Sequence, residues 1–153
     1  MKLTTRIIIF LIINFGGLAY GSWLMNNGPQ TEWYIALNKA PWTPPGWVFG
    51  VTWTIIMICF SIYLAHLFLN SDSLKLRLAF IFQVFLNVIW NYVFFNLHMI
   101  TIGLVVIGAL TIVIFTFFIS NKKTMKSKSY LLLPYMTWLI IATSLNAYIL
   151  LNN

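Results

Sequence analysis

The stretch NKAPWTPPGWVFGVTW, residues 38–53, contains three of the seven tryptophans and three of the five prolines of the chain. It lies where a polar segment gives way to a long apolar one. Pro44-Pro45 fixes the backbone at a helix start, where a missing N–H costs nothing. Trp42 and Trp47 suit a membrane–water boundary, which favours aromatic rings with one polar atom. The stretch therefore predicts the start of a membrane-spanning helix, but a boundary role does not explain Trp53, deeper in that helix.

The whole chain has the composition of a membrane protein. Of its 153 residues, 61% are hydrophobic and only 7% are charged, with a mean hydropathy of +0.89, whereas charged residues make up about a quarter of a soluble domain. We expect a single all-α domain over residues 1–153, an integral membrane bundle of five transmembrane helices with a long aromatic loop between the first two. Each span approaches or exceeds the roughly 20 residues that cross a bilayer as a helix. The predicted spans are about Ile7–Met25, Trp47–Leu69, Leu78–Leu97, Ile100–Ile119 and Tyr130–Leu151.

Few side chains are available for ordinary acid–base or metal chemistry. The acidic residues are Glu32 and Asp72, and the histidines are His66 and His98. Hydrolytic triads and metal centres need clusters of such groups. We therefore expect no metal site and no cofactor.

The basic residues predict how the chain is oriented. Five spans place the two termini on opposite sides of the membrane, and Lys39 is the one basic residue on the side of the first long loop. By the positive-inside rule, we expect the N-terminus in the cytoplasm and the C-terminus outside. The net charge of +7 thus indicates membrane topology rather than nucleic-acid binding. The other side holds eight of the nine basic residues, Lys2, Arg6, Lys75, Arg77, Lys122, Lys123, Lys126 and Lys128.

The first apolar stretch has a second interpretation. Lys2 and Arg6, the apolar run and the small residues around Ala19 resemble a signal peptide with a cleavage site. The apolar run continues through Met25, which is long for the core of a signal peptide and favours a retained span.

The loop Asn26–Gly46 is unusually long and rich in aromatic residues. Loops of this length in compact folds are usually functional or disordered, and the aromatic content argues against disorder. Within the loop, we expect residues 31–37 to form a short helix with Thr31 as its cap.

Three amides share one face of the third span. Gln83, Asn87 and Asn91 are spaced by four residues, and Phe94 continues the same face. Because unpaired amides are costly in hydrocarbon, this face is expected to point into the bundle. Two interpretations stay open: hydrogen bonds between helices, or a ligand site.

Two other spans carry aromatic faces at helical spacing. Such a face on one helix is more often packing than pocket. Three inward faces beneath an aromatic loop favour a flat apolar cavity for a planar hydrophobic ligand. The residues are Phe49, Trp53, Met57 and Phe60 in the second span, and Trp138, Ala142, Leu145 and Asn146 in the fifth.

The first span carries Gly17 and Gly21, a pair of small residues one turn apart. Such a pair lets two helix backbones approach closely. The contact is expected either within one chain or between two chains.

Three motifs resemble one known family. WYIALNKAPWTPPGWVFGVTW (residues 33–53), LNVIWNYVFF (86–95) and LLPYMTWLIIATSLN (132–146) are similar, in order and spacing, to those of the translocator protein family. Its members are also called tryptophan-rich sensory proteins or peripheral benzodiazepine receptors, and the chain resembles a bacterial-type member. The resemblance covers residues 33–146.

The resemblance implies a five-helix bundle in the bacterial cell membrane, commonly a homodimer, that binds porphyrins such as protoporphyrin IX and haem. It also implies binding of benzodiazepine- and isoquinoline-type drugs. Sterol binding, known for some members, is less expected, since no basic residue follows Tyr148. The ligand-binding residues carried over are Trp33, Tyr34, Trp42, Pro44, Trp53, Asn87, Asn91, Phe94, Trp138, Ala142 and Leu145.

Three functions stay open at this point. The first is a membrane receptor or sensor for tetrapyrroles, with a role in their transport. The second is an enzyme that degrades protoporphyrin IX in light, for which the resemblance implicates Trp53 and Trp138. The third is a scaffold that offers only a partner surface. The expected partners are porphyrins or other flat hydrophobic molecules, the lipid bilayer and a second copy of the chain, but not nucleic acid.

Overall fold

The computed structural model describes residues 2–153 and contains helices but no strand within that range. Four stretches in it are long and apolar enough to cross a membrane: Leu3–Gln30, Gly46–Asn70, Leu74–Asn96 and Ile100–Asn152. The last stretch is 53 residues long and contains two helices that pack against each other. The chain is therefore an integral membrane bundle of five long helices, which confirms the predicted fold.

The observed helices differ from the predicted spans mainly at their ends. The fourth long helix continues past Ile119 to Met125, and the last begins at Leu133 because a 3₁₀ segment, Lys126–Leu132, precedes it. A π-helical segment, Tyr92–Asn96, continues the third long helix. The helices are α1 (Leu3–Leu24), α2 (Glu32–Ala36), α3 (Gly46–Asn70), α4 (Leu74–Asn91), α5 (Ile100–Met125) and α6 (Leu133–Asn152).

The short helix α2 forms inside the long loop, as predicted. The Thr31 hydroxyl accepts a hydrogen bond from the backbone N–H of Tyr34 at 3.4 Å, which caps the helix start. The following long helix, α3, begins directly after Pro45, whose missing N–H is harmless there.

The α1 helix packs against α3 and α4. Its small-residue face makes the contact with α4, because a Cβ atom added to Gly21 would lie 2.7 Å from Asn91 Nδ2. A Cβ at Gly17 would meet Val84 and Val88 at 3.7 Å. The expected close contact therefore forms within one chain.

One half of the bundle is solidly packed, and we call it the packed half. Its centre consists of Phe60, Tyr63 and Tyr135, each at most 1% exposed. Polar groups in this half bond across helices: Gln83 Nε2 donates to the Tyr135 hydroxyl at 2.8 Å, and the Tyr63 hydroxyl donates to the Phe117 carbonyl at 3.0 Å. Such pairing offsets part of the cost of burying an amide or a phenol in an apolar bundle, and within the described residues Gln83 Oε1 stays without a partner.

The eight basic residues named above lie at the same end of the bundle, which we call the basic end. Arg6 Nη1 donates to the carbonyl of Phe68 at 3.1 Å, joining the start of α1 to the end of α3. Lys128 Nζ lies 3.1 Å from His66 Nδ1, which ties the α5–α6 connection to the same end of α3.

Candidate ligand-binding cavity

A cavity of about 570 Å³ lies at the end of the bundle opposite the basic end. The long loop and helices α1, α3, α4, α5 and α6 all contribute to its wall. This volume falls within the range of about 300–1,000 Å³ that is usual for small-molecule sites. We call this part of the bundle the hollow half.

The structure brings together seven of the eleven predicted ligand-binding residues in the cavity wall. They come from the loop and from α3, α4 and α6, four segments that are far apart in sequence. The seven lining residues are Tyr34, Pro44, Trp53, Asn87, Asn91, Trp138 and Ala142.

Two of the remaining four predicted residues lie outside the cavity, in the loop. The ring of Trp33 stacks on His98, with centroids 4.0 Å apart and planes 14° apart. The ring of Trp42 is 53% exposed, and its Nε1 donates to Ser144 Oγ at 3.1 Å. Both tryptophans therefore pack the loop against the rest of the bundle and do not face the cavity.

The other two, Phe94 and Leu145, are buried without lining the cavity. Phe94 stacks on Trp90 with ring centroids 5.3 Å apart, and its neighbour Phe95 lines the cavity instead. The π-helical segment explains this exchange. Phe95, four positions after Asn91, keeps the four-residue spacing of the amides, whereas the π-turn, which takes more residues than an α-turn, turns Phe94 away from that face.

Two aromatic pairs shape the cavity wall. Phe49 and Trp138 meet edge to face, with ring centroids 5.0 Å apart and planes at 86°. Trp53 meets Tyr135 in the same manner at 5.9 Å and 73°. Both pairs join α3 to α6, and edge-to-face contacts of this kind hold aromatic rings in defined orientations.

The amide stripe on α4 serves two purposes. Gln83 bonds to Tyr135 between helices, whereas Asn87 and Asn91 line the cavity. Asn91 Nδ2 donates to the Asn87 carbonyl at 3.1 Å. Within residues 2–153, the carboxamide of Asn87 makes no hydrogen bond, so it is free to bond to a ligand. Both interpretations of the stripe therefore apply, each to a different part of it.

Lys39 is a lining residue that the sequence patterns did not predict. Its Nζ donates to the carbonyls of Tyr34, Ile35 and Leu37 at 2.9, 3.0 and 3.3 Å. A cation near the end of a helix satisfies carbonyls that lack intrahelical partners. The sequence feature that points to this role is the position of Lys39, three residues after the end of α2.

Tyr34 presents its ring to the cavity from α2. Burial raises the pKa of its phenol above the ordinary value. The side chain therefore stays neutral at physiological pH and offers a hydroxyl rather than a charge.

The α1 helix also contributes to the cavity through Gly17, Leu18 and Ser22, and Met25, directly after its end, lines the cavity too. None of these was predicted as a site residue, although the face of Gly17 and Gly21 was expected to make a close contact. The small residues of α1 were the sequence feature that could have indicated these lining residues. Because they allow α1 to approach α4 closely, the α1 side chains beside them reach the cavity.

Comparison with known proteins places the chain in a family. The sequence model of the TspO/MBR family matches residues 8–151. The chain is 35% identical to the tryptophan-rich protein TspO of Archaeoglobus fulgidus, over 100% of this chain and 97% of that protein. It is 31% identical to the Bacillus cereus protein of the same name, over 95% and 94%. It is 26% identical to the human translocator protein, over 78% and 74%. With a family match across almost the whole chain and relatives of matching length, this chain belongs to the TspO/MBR family.

Proposed function

We propose that the chain is a membrane receptor or sensor that binds flat tetrapyrroles, such as protoporphyrin IX and haem, in the hollow half. Benzodiazepine- and isoquinoline-type drugs are further ligands of the same flat, apolar kind. A role in tetrapyrrole transport is part of the proposal, in keeping with the name of the human relative, translocator protein.

One observation carries this proposal: a cavity of about 570 Å³ holds aromatic rings from several helices and only a few polar groups. Phe49, Trp53 and Trp138 offer apolar ring surface, which suits a planar macrocycle. The free carboxamide of Asn87 supplies a polar contact that fixes the orientation of a ligand.

A porphyrin titration with a matched pair of variants tests the proposal. Protoporphyrin IX is added to the purified chain in lipid nanodiscs, and the Soret absorbance reports binding. Ala142→Phe places a ring inside the cavity and is expected to abolish saturable binding. Ala19→Phe adds the same ring on an exposed position of α1 and is expected to bind like wild type. Equal binding by both variants, or no saturable binding by wild type, would exclude this cavity as the site.

A second candidate function is photo-oxidative breakdown of protoporphyrin IX, with tryptophans as redox partners. The observation that favours it is that Trp53 on α3 and Trp138 on α6 both line the cavity. A macrocycle bound there lies beside both indoles.

The products formed by illuminated, porphyrin-loaded protein separate this function from binding alone. Porphyrin loss is expected to fall sharply in Trp53→Phe and Trp138→Phe. Trp47→Phe serves as the control, because Trp47 is 71% exposed and does not line the cavity. Equal loss in all three variants would show incidental photobleaching.

We infer that the basic end is cytoplasmic, with the N-terminus inside and the C-terminus outside. The support is the distribution of charge, with eight of the nine basic residues at one end. Reporter fusions at both termini test the orientation. Both reporters on the same side would contradict it.

We also propose a homodimer, following the family resemblance. The exposed apolar residues on the outer faces of the helices provide surface for a second copy or for lipid. Native mass spectrometry of the detergent-extracted chain is expected to show the dimer mass, and a purely monomeric spectrum across detergents would contradict this.

A further inference from the structure

A second cavity, of about 340 Å³, lies between α4 and α5 at the basic end. The wall changes character with depth. Nearest the basic end it is polar, with Ser71, Ser73, Lys75, Ser120 and Asn121. Farther into the bundle it is mainly apolar, with Leu76, Ala79, Phe82 and Val113. Because α4 starts and α5 ends at this end, the polar-to-apolar change follows the membrane normal.

We propose that this groove binds an anionic glycerophospholipid. Its phosphate lies against the polar residues, and one acyl chain runs along the apolar wall. The groove changes from polar to apolar along its length, and a phospholipid changes in the same direction from its headgroup to its acyl chains. From Lys75 to Phe82 the α4 helix rises about 10 Å, a depth that carries a lipid from its headgroup into its acyl chain.

Lys75 is the one cation in the wall of this groove. Within residues 2–153 its ammonium has no hydrogen bond or ion-pair partner in the protein, whereas Arg77 is held by a bidentate pair with Asp72, both contacts at 2.8 Å. The hydrogen bond from Arg77 lowers the pKa of the Asp72 carboxyl, which keeps this nearby acid ionised and paired. The charge of Lys75 is therefore free to meet a phosphate.

Hydroxyl groups beside Lys75 complete the polar end. The hydroxyl oxygen of Ser73 accepts from the N–H of Leu76 at 3.2 Å, and its own proton remains free to be donated. Within the described chain, the side chains of Ser71 and Ser120 have no hydrogen-bond partner. A cation with hydroxyl donors between two membrane helices is the arrangement that binds acidic lipid headgroups.

The apolar wall favours a lipid over the other occupants. Phe82 is 49% exposed on the outside of the bundle, so the groove is open towards the hydrocarbon. A soluble phosphate ester would leave that wall uncovered. A second copy of this chain would bring its own basic end close to Lys75, and like charges repel.

Native mass spectrometry of the full chain tests the proposal, with dioleoyl phosphatidylglycerol and dioleoyl phosphatidylcholine as the two lipids. The first bound phosphatidylglycerol is expected to bind several-fold more tightly than phosphatidylcholine. Lys75→Gln is expected to weaken the phosphatidylglycerol affinity about fivefold, the contribution of one lysine near a membrane surface. Phosphatidylcholine affinity is expected to stay unchanged. Lys123→Gln removes the same charge at the same end but outside the groove, and is expected to retain the preference.

A second matched pair tests the acyl-chain wall. Ala79→Trp fills the groove and is expected to weaken binding of the first phosphatidylglycerol, whereas Leu78→Trp lies on exposed helix surface and is expected to bind normally. Gel filtration and circular dichroism verify that all variants are folded.

Four results would overturn the proposal. Equal losses in Lys75→Gln and Lys123→Gln would indicate diffuse charge attraction, and equal affinity for the two lipids would remove the headgroup preference. Displacement of the lipid by glycerophosphoglycerol alone would indicate a soluble phosphate site. A rise in dimer mass that displaces lipid would identify a second copy as the occupant.

Discussion

The packed half and the hollow half are built from the same helices but differ in how closely their side chains are packed. In α3, Phe60 has no exposed surface, whereas Trp53, two turns earlier, faces the cavity. In α6, Tyr135 is 1% exposed, whereas Ala142 faces the cavity. Both halves contain hydrogen bonds across helices, from Gln83 to Tyr135 in the packed half and from Trp90 to Asn146 beside the cavity.

This difference shows how a bundle keeps an empty space inside a membrane. Close packing in one half fixes the helix positions. The hollow half can then lack side-chain contacts across its cavity without the cavity closing, because the same rigid helices pass through both halves. Stability and binding are thus assigned to different ends of each helix, and substitutions at the two ends are expected to have different consequences.

The largest effect is expected from loss of a ring in the packed half. Phe60→Ala removes a fully buried ring that contacts Tyr63, Phe117 and Tyr135, which costs about 3–5 kcal/mol in comparable core sites. Phe49→Ala, which removes a half-buried ring from the cavity wall, is expected to cost less than half as much. Thermal unfolding midpoints in one detergent provide the measurement. Equal shifts of the midpoint in the two variants would show that side chains of the hollow half contribute as much to stability as those of the packed half.

An intermediate effect is expected where α1 meets α4. Gly21→Ile forces atoms into Asn91 and is expected to destabilise the bundle by about 1–3 kcal/mol. It is also expected to weaken porphyrin binding, because Asn91 lines the cavity. Gly16→Ile is the matched control, since a Cβ at Gly16 meets nothing within 4 Å. Unchanged stability and binding in both variants would show that the close contact does not hold the helices together.

A smaller effect is expected at the amide of the packed half. Gln83→Leu leaves the Tyr135 hydroxyl without its partner, and membrane helix pairs of this kind are coupled by about 1 kcal/mol. Adding Tyr135→Phe is expected to recover most of the loss, because neither polar group is then left unpaired. Asn87→Leu is expected to alter porphyrin affinity rather than the unfolding midpoint. A double-mutant cycle on Gln83 and Tyr135 with zero coupling would contradict the assignment.

The smallest change in stability is expected at the cavity wall itself. Trp53→Phe keeps most of the ring volume beside the cavity but loses part of the edge-to-face contact with Tyr135, so its unfolding free energy is expected to change by about 0.5 kcal/mol. The same protein is expected to show less tryptophan quenching on porphyrin binding. A large loss of stability would mean that Trp53 is a packing residue and would move the boundary between the two halves.

Helical spacing was sufficient to predict the five helices and the inward faces of Asn87, Trp53 and Trp138. These features depend on one helix at a time, because a face follows from the turn of the helix. Spacing also placed Gln83 on the inward face, but not its bond to Tyr135. That partner depends on how far α6 lies along the membrane normal relative to α4, which no local pattern encodes.

Two other parts of the cavity were not predicted, one for a local reason and one for a reason of tertiary structure. The exchange of Phe94 for Phe95 results from a π-helical segment, in which the backbone of Leu97 donates to Tyr92 at 3.0 Å. In a regular α-helix Phe94 and Phe95 both lie near the face of Asn91, so spacing alone does not choose between them. Lys39 enters the wall only because the loop folds back over the bundle, which depends on contacts between distant segments.

The uneven charge also makes the orientation of the inserted chain permanent. Inverting the bundle would carry eight basic residues through hydrocarbon. At a few kcal/mol for each charge, the barrier is on the order of 20 kcal/mol or more. Copies reconstituted into vesicles therefore keep the orientation they acquire at assembly, and a membrane-impermeant ligand added outside reaches only those whose long loop faces outward.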